Sequence, residues 1–184
     1  MLKLNVNNET SRLLVVVLGT AKSNGITPKI DDCYDPSSRQ NVLNQTYPSE
    51  DDMIEEMNQF KQVLYKYNID IIRPSIIDDY NQIFSRDIGF VIDDYFIISN
   101  TLPQRSKEIL AIDKLLAQIP KNKIIQLPEE CHIEGGDVVL HNDCIFIGTY
   151  DGDNYSNLKT ARTNYKAVKF LKEKFTEKKI ISFD

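Results

Sequence analysis

Residues 132–147 read HIEGGDVVLHNDCIFI, an acid-glycine-glycine-acid motif that runs directly into a hairpin. Residues 138–140 and 145–147 are apolar, mostly β-branched runs around the polar turn His141-Asn142-Asp143, which predicts two antiparallel strands. Extended backbone would set His132 and Glu134 on one face, and the paired glycines let the chain bend or approach a neighbour closely. A glycine bulge would account for the bend alone. It would not require an acid on each side, so Glu134 and Asp137 are candidates for chemistry.

The same pattern lies upstream. Residues 88–92 and 95–99 form two strand-like runs about Asp93-Asp94, and Ser85-Arg86-Asp87 stands just before them, which places the Asp87 carboxylate at a strand entrance. A helix is expected over residues 105–118, with Ile109, Leu110, Ile112, Leu116 and Ile119 on its core side and Pro120 ending it. Strand 124–127 follows. After the second hairpin come a helix over residues 158–175 and a strand over residues 179–182. Strand, hairpin, helix and strand thus recur at a period of roughly 50 to 60 residues, an array of similar α/β units closed about a centre.

Nearer the start, Leu13-Leu14-Val15-Val16-Val17-Leu18-Gly19 suits a strand buried on both faces, and residues 20–48 are expected as a long surface excursion. Ser49 and Asp52 have capping-box spacing, so a helix should begin there with Met53, Met57, Phe60 and Leu64 inward. Residues 69–72 form a short strand stopped by Pro74.

The 184 residues, 41% of them hydrophobic, suffice for one domain with a sizeable core. With 22 Lys and Arg against 27 Asp and Glu, a net charge of −5 and no basic tract, the chain lacks the electrostatic footprint of a nucleic-acid binder. The longest apolar run, residues 13–18, is far too short to span a bilayer, and no signal-peptide core follows the N-terminus. A cytoplasmic protein with a small-molecule partner is expected. Cys33, Cys131 and Cys144 contain no C-x-x-C pair and fit reduced thiols.

Taken together, the early strand, the segment Ile69-Asp70-Ile71-Ile72-Arg73-Pro74, the R-D motif and the E-G-G-D motif resemble, in kind and order, the pentein-fold guanidino-group-modifying superfamily. Glycine amidinotransferase, arginine deiminase and dimethylarginine dimethylaminohydrolase are among its members. The resemblance covers nearly the whole chain. It implies an α/β propeller of five ββαβ modules around a central channel, of which residues 1–184 would supply about three as one partial domain.

By the same resemblance, Glu134 occupies the catalytic acid position that partners a histidine, and Asp87 binds the substrate guanidinium. Asp137 joins Asp87 on the substrate side by holding the glycine turn. The guanidine substrate, arginine or a related compound, would be attacked by a cysteine, giving a covalent intermediate that passes to water in a hydrolase or to an amine in a transferase. No cofactor is implied. The family's H-[LI]-D histidine and its nucleophilic cysteine have no counterpart in these residues, so the 184-residue chain is expected to be inactive.

Paired carboxylates suit such a substrate because a guanidinium is planar and always charged, and they grip its edges through charge-assisted hydrogen bonds. Cys131 and His132 are strand neighbours pointing to opposite faces, so the imidazole is poorly placed to activate that thiol. Two other readings stay open. Cys131, His132, Glu134, Asp137, His141 and Cys144 are metal-ligand types within fourteen positions, though in no standard metal spacing. The same fold also serves a non-catalytic binding module, a ribosomal-subunit anti-association factor, which would not need the two acidic motifs. Residues 180–183 and 13–18 would leave uncovered edges in a partial domain, so a homo-oligomer is a further expectation.

Overall fold

Short apolar runs and well-marked caps build the part of the chain between residues 13 and 84. In the computed structural model, which describes residues 1–33, 35–150 and 162–184, this part is one compact unit. Strand β1 (Val15–Val17) pairs in parallel with β2 (Asp70–Ile72) as a two-stranded sheet. The strand is shorter than expected and is not covered on both faces: Val15 within it is 37% exposed, and Leu13 and Leu14 of the expected run are 46% and 61% exposed. The expected excursion over residues 20–48 is not all loop. It contains α1 (Pro36–Leu43), whose cap is Asp35 accepting from the Ser38 amide at 2.8 Å, with Pro36 preset for the first turn.

Helix α2 (Glu50–Lys66) begins at Ser49 with the reciprocal capping box. Ser49 Oγ accepts from the Asp52 amide at 3.2 Å, and Asp52 Oδ2 accepts from the Ser49 amide at 3.3 Å. Met53 and Leu64 are buried, but Phe60 on the same stripe is half exposed. Three-residue strands span about 10 Å and cover only part of a helix about 25 Å long.

The second unit comprises residues 1–12, 85–150 and 162–184. Hairpin β3 (Gly89–Ile92) and β4 (Tyr95–Ile98) is antiparallel, and β5 (Ile124–Gln126) joins β4 in parallel. Hairpin β6 (Val138–His141) and β7 (Cys144–Gly148) repeats the scheme, with β8 (Lys179–Phe183) parallel to β7. Both turns have two residues, and Asp93 and Asn142 take φ of 52°, a left-handed conformation that Asp and Asn tolerate well. The N-terminal residues run past both turns, Val6 bridging Asp93 and Asn8 bridging His141.

Each hairpin is followed by a helical segment before its parallel strand. The second is α4 (Tyr165–Lys174), capped by Asn164 Oδ1 accepting from the Ala167 amide at 3.0 Å; residues 158–161 of the expected helix lie outside the described residues. The first departs from the expected α-helix. Pro103–Ile112 is a 3-10 helix, and only the four-residue α3 (Asp113–Leu116) is α-helical. The buried positions are Arg105, Glu108, Ala111, Ile112, Leu115 and Ile119, a spacing near three, whereas Leu110 is 68% exposed. Two charged residues thus hold inward positions that an apolar count assigns to Ile and Leu.

The core of this unit is continuous: Ile92, Ile97, Ile133, Ile145, Ile147, Ala167, Val168 and Leu171 all lie within it, each essentially inaccessible. Among the described residues no helix is long and apolar enough to cross a membrane. Ile145→Ala should cost about 2–5 kcal/mol, because the packed surroundings cannot close the void. Val139→Ala, on the opposite face of the sheet and 49% exposed, should cost no more than about 0.5 kcal/mol. Urea denaturation of the two variants checks the difference, and equal losses would mean that the hairpin does not face the core as described.

Candidate functional site: a buried carboxylate and guanidinium cluster

The two acidic motifs are held together by hydrogen bonds from the side chains of one to the backbone of the other. Arg86 and Asp87 sit in a 3-10 turn (Ser85–Ile88) ahead of β3, and Gly135–Asp137 forms another ahead of β6. Arg86 Nε donates to the Gly135 carbonyl at 2.9 Å, and its Nη2 donates to the Val138 carbonyl and to Glu9 Oε1, both at 2.8 Å. Asp87 Oδ1 accepts from the Gly136 amide at 3.1 Å. A Cβ on Gly135 would strike the Arg86 carbonyl and one on Gly136 the Asp87 carboxylate, so the glycines serve close approach between motifs. The stretch around them is not the expected regular strand: Cys131, Ile133 and Glu134 are all buried, with His132 half-buried.

The structure brings Asp87, Glu134 and Asp137 into one cluster around two arginines. Arg105 Nη1 lies 2.6 Å from Asp87 Oδ2 and 3.3 Å from Glu134 Oε2. Its other edge engages Glu108 in a fork, Nε to Oε1 at 2.7 Å and Nη2 to Oε2 at 3.0 Å. Arg162 Nη1 donates to Glu134 Oε2 at 2.6 Å. Asp137 Oδ2 accepts from the Arg162 amide and from Thr163 Oγ1, both at 2.8 Å, and so holds the chain entering α4. The side chains of Arg105, Glu108 and Glu134 are 4%, 2% and 3% exposed, while that of Asp87 is 16% exposed and forms the more open side.

Among the described residues four carboxylates here meet two guanidiniums. Burial pushes Glu134, Asp137 and Glu108 above the ordinary carboxylate range, with their basic and hydrogen-bonding partners pulling back. Burial alone would lower Arg105, but Glu108, Asp87 and Glu134 carry it upward. Both members of the Arg105–Glu108 pair therefore move up, which pairing alone cannot do. A guanidinium keeps its charge throughout the working range, so the burial penalty falls on the carboxyl side.

Arg105, Glu108, Arg162 and Thr163 were not among the candidates from sequence. The signal was an Arg-x-x-Glu pair inside an expected apolar helix face, where charged side chains have no reason to turn inward unless paired. Among the described residues no three His, Cys, Asp or Glu side chains are arranged to hold a metal ion. A concavity of about 310 Å³ lies at the end of β7 and β8, lined by residues such as Tyr150, Tyr165 and Phe183.

The raised carboxyls set a pH dependence. A group that binds its proton more tightly when folded stabilises the fold below its unfolded value, about 4, and loses that contribution as pH rises through its folded value. Stability from Glu134, Asp137 and Glu108 should therefore fall as pH climbs out of the ordinary carboxylate range. Glu134→Gln cannot titrate and should flatten this decline in urea melts taken between about pH 5 and about pH 8. Identical slopes for the variant and the parent would remove Glu134 as a source.

No family model matches the chain. An uncharacterized protein of Bacillus subtilis, YkgA, is 28% identical over 151 residues, covering 77% of this chain and 49% of that protein. Among solved structures, SxtG, an amidinotransferase of the saxitoxin biosynthetic pathway from Microseira wollei, superposes with a TM-score of 0.72 at 18% identity, covering 97% of this chain and 61% of that one. The N-terminal domain of ArgZ, an arginine dihydrolase from the ornithine-ammonia cycle in cyanobacteria, superposes at 0.69 with 13% identity, covering 93% and 57%. The chain thus spans about half of the curated relative and about three-fifths of these structures. Over that span it has the mixed α/β fold of these amidinotransferase and arginine dihydrolase structures.

Proposed function

We propose that this chain belongs to a guanidine-modifying protein of the pentein superfamily and supplies the carboxylate side of its active site, acting on arginine or a related guanidine compound. The observation that carries the reading is the position of Asp87 and Glu134: their oxygens lie 2.6 and 3.3 Å from one guanidinium nitrogen, that of Arg105. Two carboxylates that can share one such nitrogen have the separation needed to grip a planar guanidinium and expose its central carbon. Glu134 is the acid that would orient a histidine, Asp87 holds the substrate, and Asp137 fixes the glycine turn through Thr163 and the Arg162 amide.

The chemistry needs a thiolate to attack that carbon and a base to move protons to the departing amine. Burial raises the Cys131 thiol, and Glu130 adds to the effect; burial likewise raises Cys33. Neither is an activated nucleophile, and Cys144 stands at the opposite end of the β6–β7 hairpin from the acidic motif, so by the resemblance the covalent step would fall to a cysteine and a histidine that these residues do not supply. The SxtG likeness points to amidino transfer and the ArgZ likeness to hydrolysis of arginine, and the residues present serve either outcome.

Titration calorimetry with L-arginine should show weak saturable binding to the 184-residue chain. Asp87→Asn should weaken it at least about tenfold, the loss of about 1.4 kcal/mol. No ammonia, ornithine or amidino-transfer product should accumulate. Binding unaffected by Asp87→Asn, or steady turnover by this chain, would overturn the assignment.

A further inference from the structure

We propose that Thr163 is a positioning residue of the carboxylate site: its buried hydroxyl closes the turn between Glu134 and Asp137 and so sets where the Glu134 carboxylate stands. This role rests on the reading of Asp87 and Glu134 as the guanidinium-holding pair.

The turn that carries both acids cannot hold its own shape. Between Glu134 and Asp137 stand two glycines, which have no side chains to pack and the widest backbone freedom of any residue. One backbone bond crosses the turn, the Asp137 amide donating to the Glu134 carbonyl at 3.0 Å. A second link comes from outside it. Thr163 Oγ1 accepts from the Glu134 amide at 3.4 Å and donates to Asp137 Oδ2 at 2.8 Å, so one hydroxyl spans both ends of the turn. The direction of this relay is fixed, because an amide only donates and the same Asp137 oxygen also accepts from the Arg162 amide.

Threonine suits the task. Thr163 is fully buried, so water does not compete for the hydroxyl, and its branched side chain is stiff about the first torsion. The residue is itself held, since its carbonyl accepts from the Tyr150 amide at 2.9 Å. Asn164 beside it is bonded to the segment before the turn. Its amide donates to the His132 carbonyl at 3.0 Å and its Nδ2 to the Glu130 carbonyl at 2.9 Å, while its Oδ1 caps α4. The chain entering α4 is thus anchored to residues 130 and 132, and from that anchorage the Thr163 hydroxyl reaches both ends of the acidic turn.

Shape and hydrogen bonding separate cleanly at this position. Valine has the shape of threonine without the hydroxyl, and serine keeps the hydroxyl without the methyl. In the full 184-residue chain, Thr163→Val should weaken L-arginine binding at least about fivefold, part of what a hydrogen bond to a charged group contributes. Thr163→Ser should stay within about twofold of the parent. The Asp137 carboxyl gives a second readout. Burial raises it, and the Arg162 amide and the Thr163 hydroxyl draw it back. Its carboxyl-carbon resonance should therefore titrate at higher pH in Thr163→Val and at the parent's pH in Thr163→Ser. A residue that only fills space would give the opposite order, with valine harmless and serine harmful.

Thr163→Val leaves a buried carboxylate short of a donor and can fail to fold. The parent then supplies the measurement: the Thr163 hydroxyl proton, assigned through its own methyl group, should exchange slowly and shift on saturation with L-arginine. A rapidly exchanging hydroxyl, or one that L-arginine leaves in place, would overturn the role. So would Thr163→Val binding like the parent, or Thr163→Ser binding as weakly as Thr163→Val; if Asp87→Asn weakens binding under the same conditions, the guanidinium site stands without Thr163. L-arginine binding absent from the parent would remove the site reading and this role with it.

Discussion

Burying several carboxylates in one place dictates much of the second unit. An isolated buried carboxylate is costly, and it persists only when paired and hydrogen-bonded. Asp87, Glu134 and Asp137 meet this demand through Arg105, Arg162, Thr163 and the Gly136 amide, and Glu108 meets it through Arg105. The requirement reaches outward from there. Arg105 must face inward, so the segment bearing it presents residues 105, 108, 111 and 115 to the interior and adopts a tighter spiral over much of its length. Gly135 and Gly136 must be glycine because the turn carrying Glu134 and Asp137 lies directly on the one carrying Arg86 and Asp87.

Arg86 has a different part in the same arrangement. Its fork ties the Gly135 and Val138 carbonyls to Glu9, and Glu9 Oε1 also accepts from the Leu140 amide at 3.2 Å. The N-terminal residues thus join the two hairpin entrances at the level of the acidic motifs. The Arg86–Glu9 pair is partly exposed and contributes little by charge alone. Its value is geometric, since it fixes the register of two loops whose carboxylates must stay a few ångströms apart.

How much of this was legible in the sequence depended on the kind of signal. Both hairpins, their parallel partner strands and the Ser49 capping box were readable because period-two alternation, turn residues and cap spacing act locally. The run at residues 13–19 misled, because a short apolar stretch reads alike whether one face or both are covered, and among the described residues its sheet has two strands. Asp35-Pro36 was a helix start hidden in a polar segment. Arg105 and Glu108 were passed over because an apolar count ranks Leu110 above them, whereas long-range pairing with Asp87 and Glu134 decides which side faces in. Asp87, Glu134 and Asp137 stood out as acids at strand entrances, but the guanidiniums that hold them come from segments 18 and 28 residues further along the chain.

The denaturant most often used to unfold proteins is the ion that the proposed site would hold. In dilute guanidinium chloride the cation would be both a ligand of the folded chain and a solvent for the unfolded one, and ligands of the folded state stabilise it by mass action. Linear extrapolation from concentrated guanidinium assumes that only the second effect operates. Urea carries no charge and cannot enter the pair as a cation. Were the cluster to bind guanidinium, the choice of denaturant would decide whether an unfolding curve reports the fold alone or the fold together with its site.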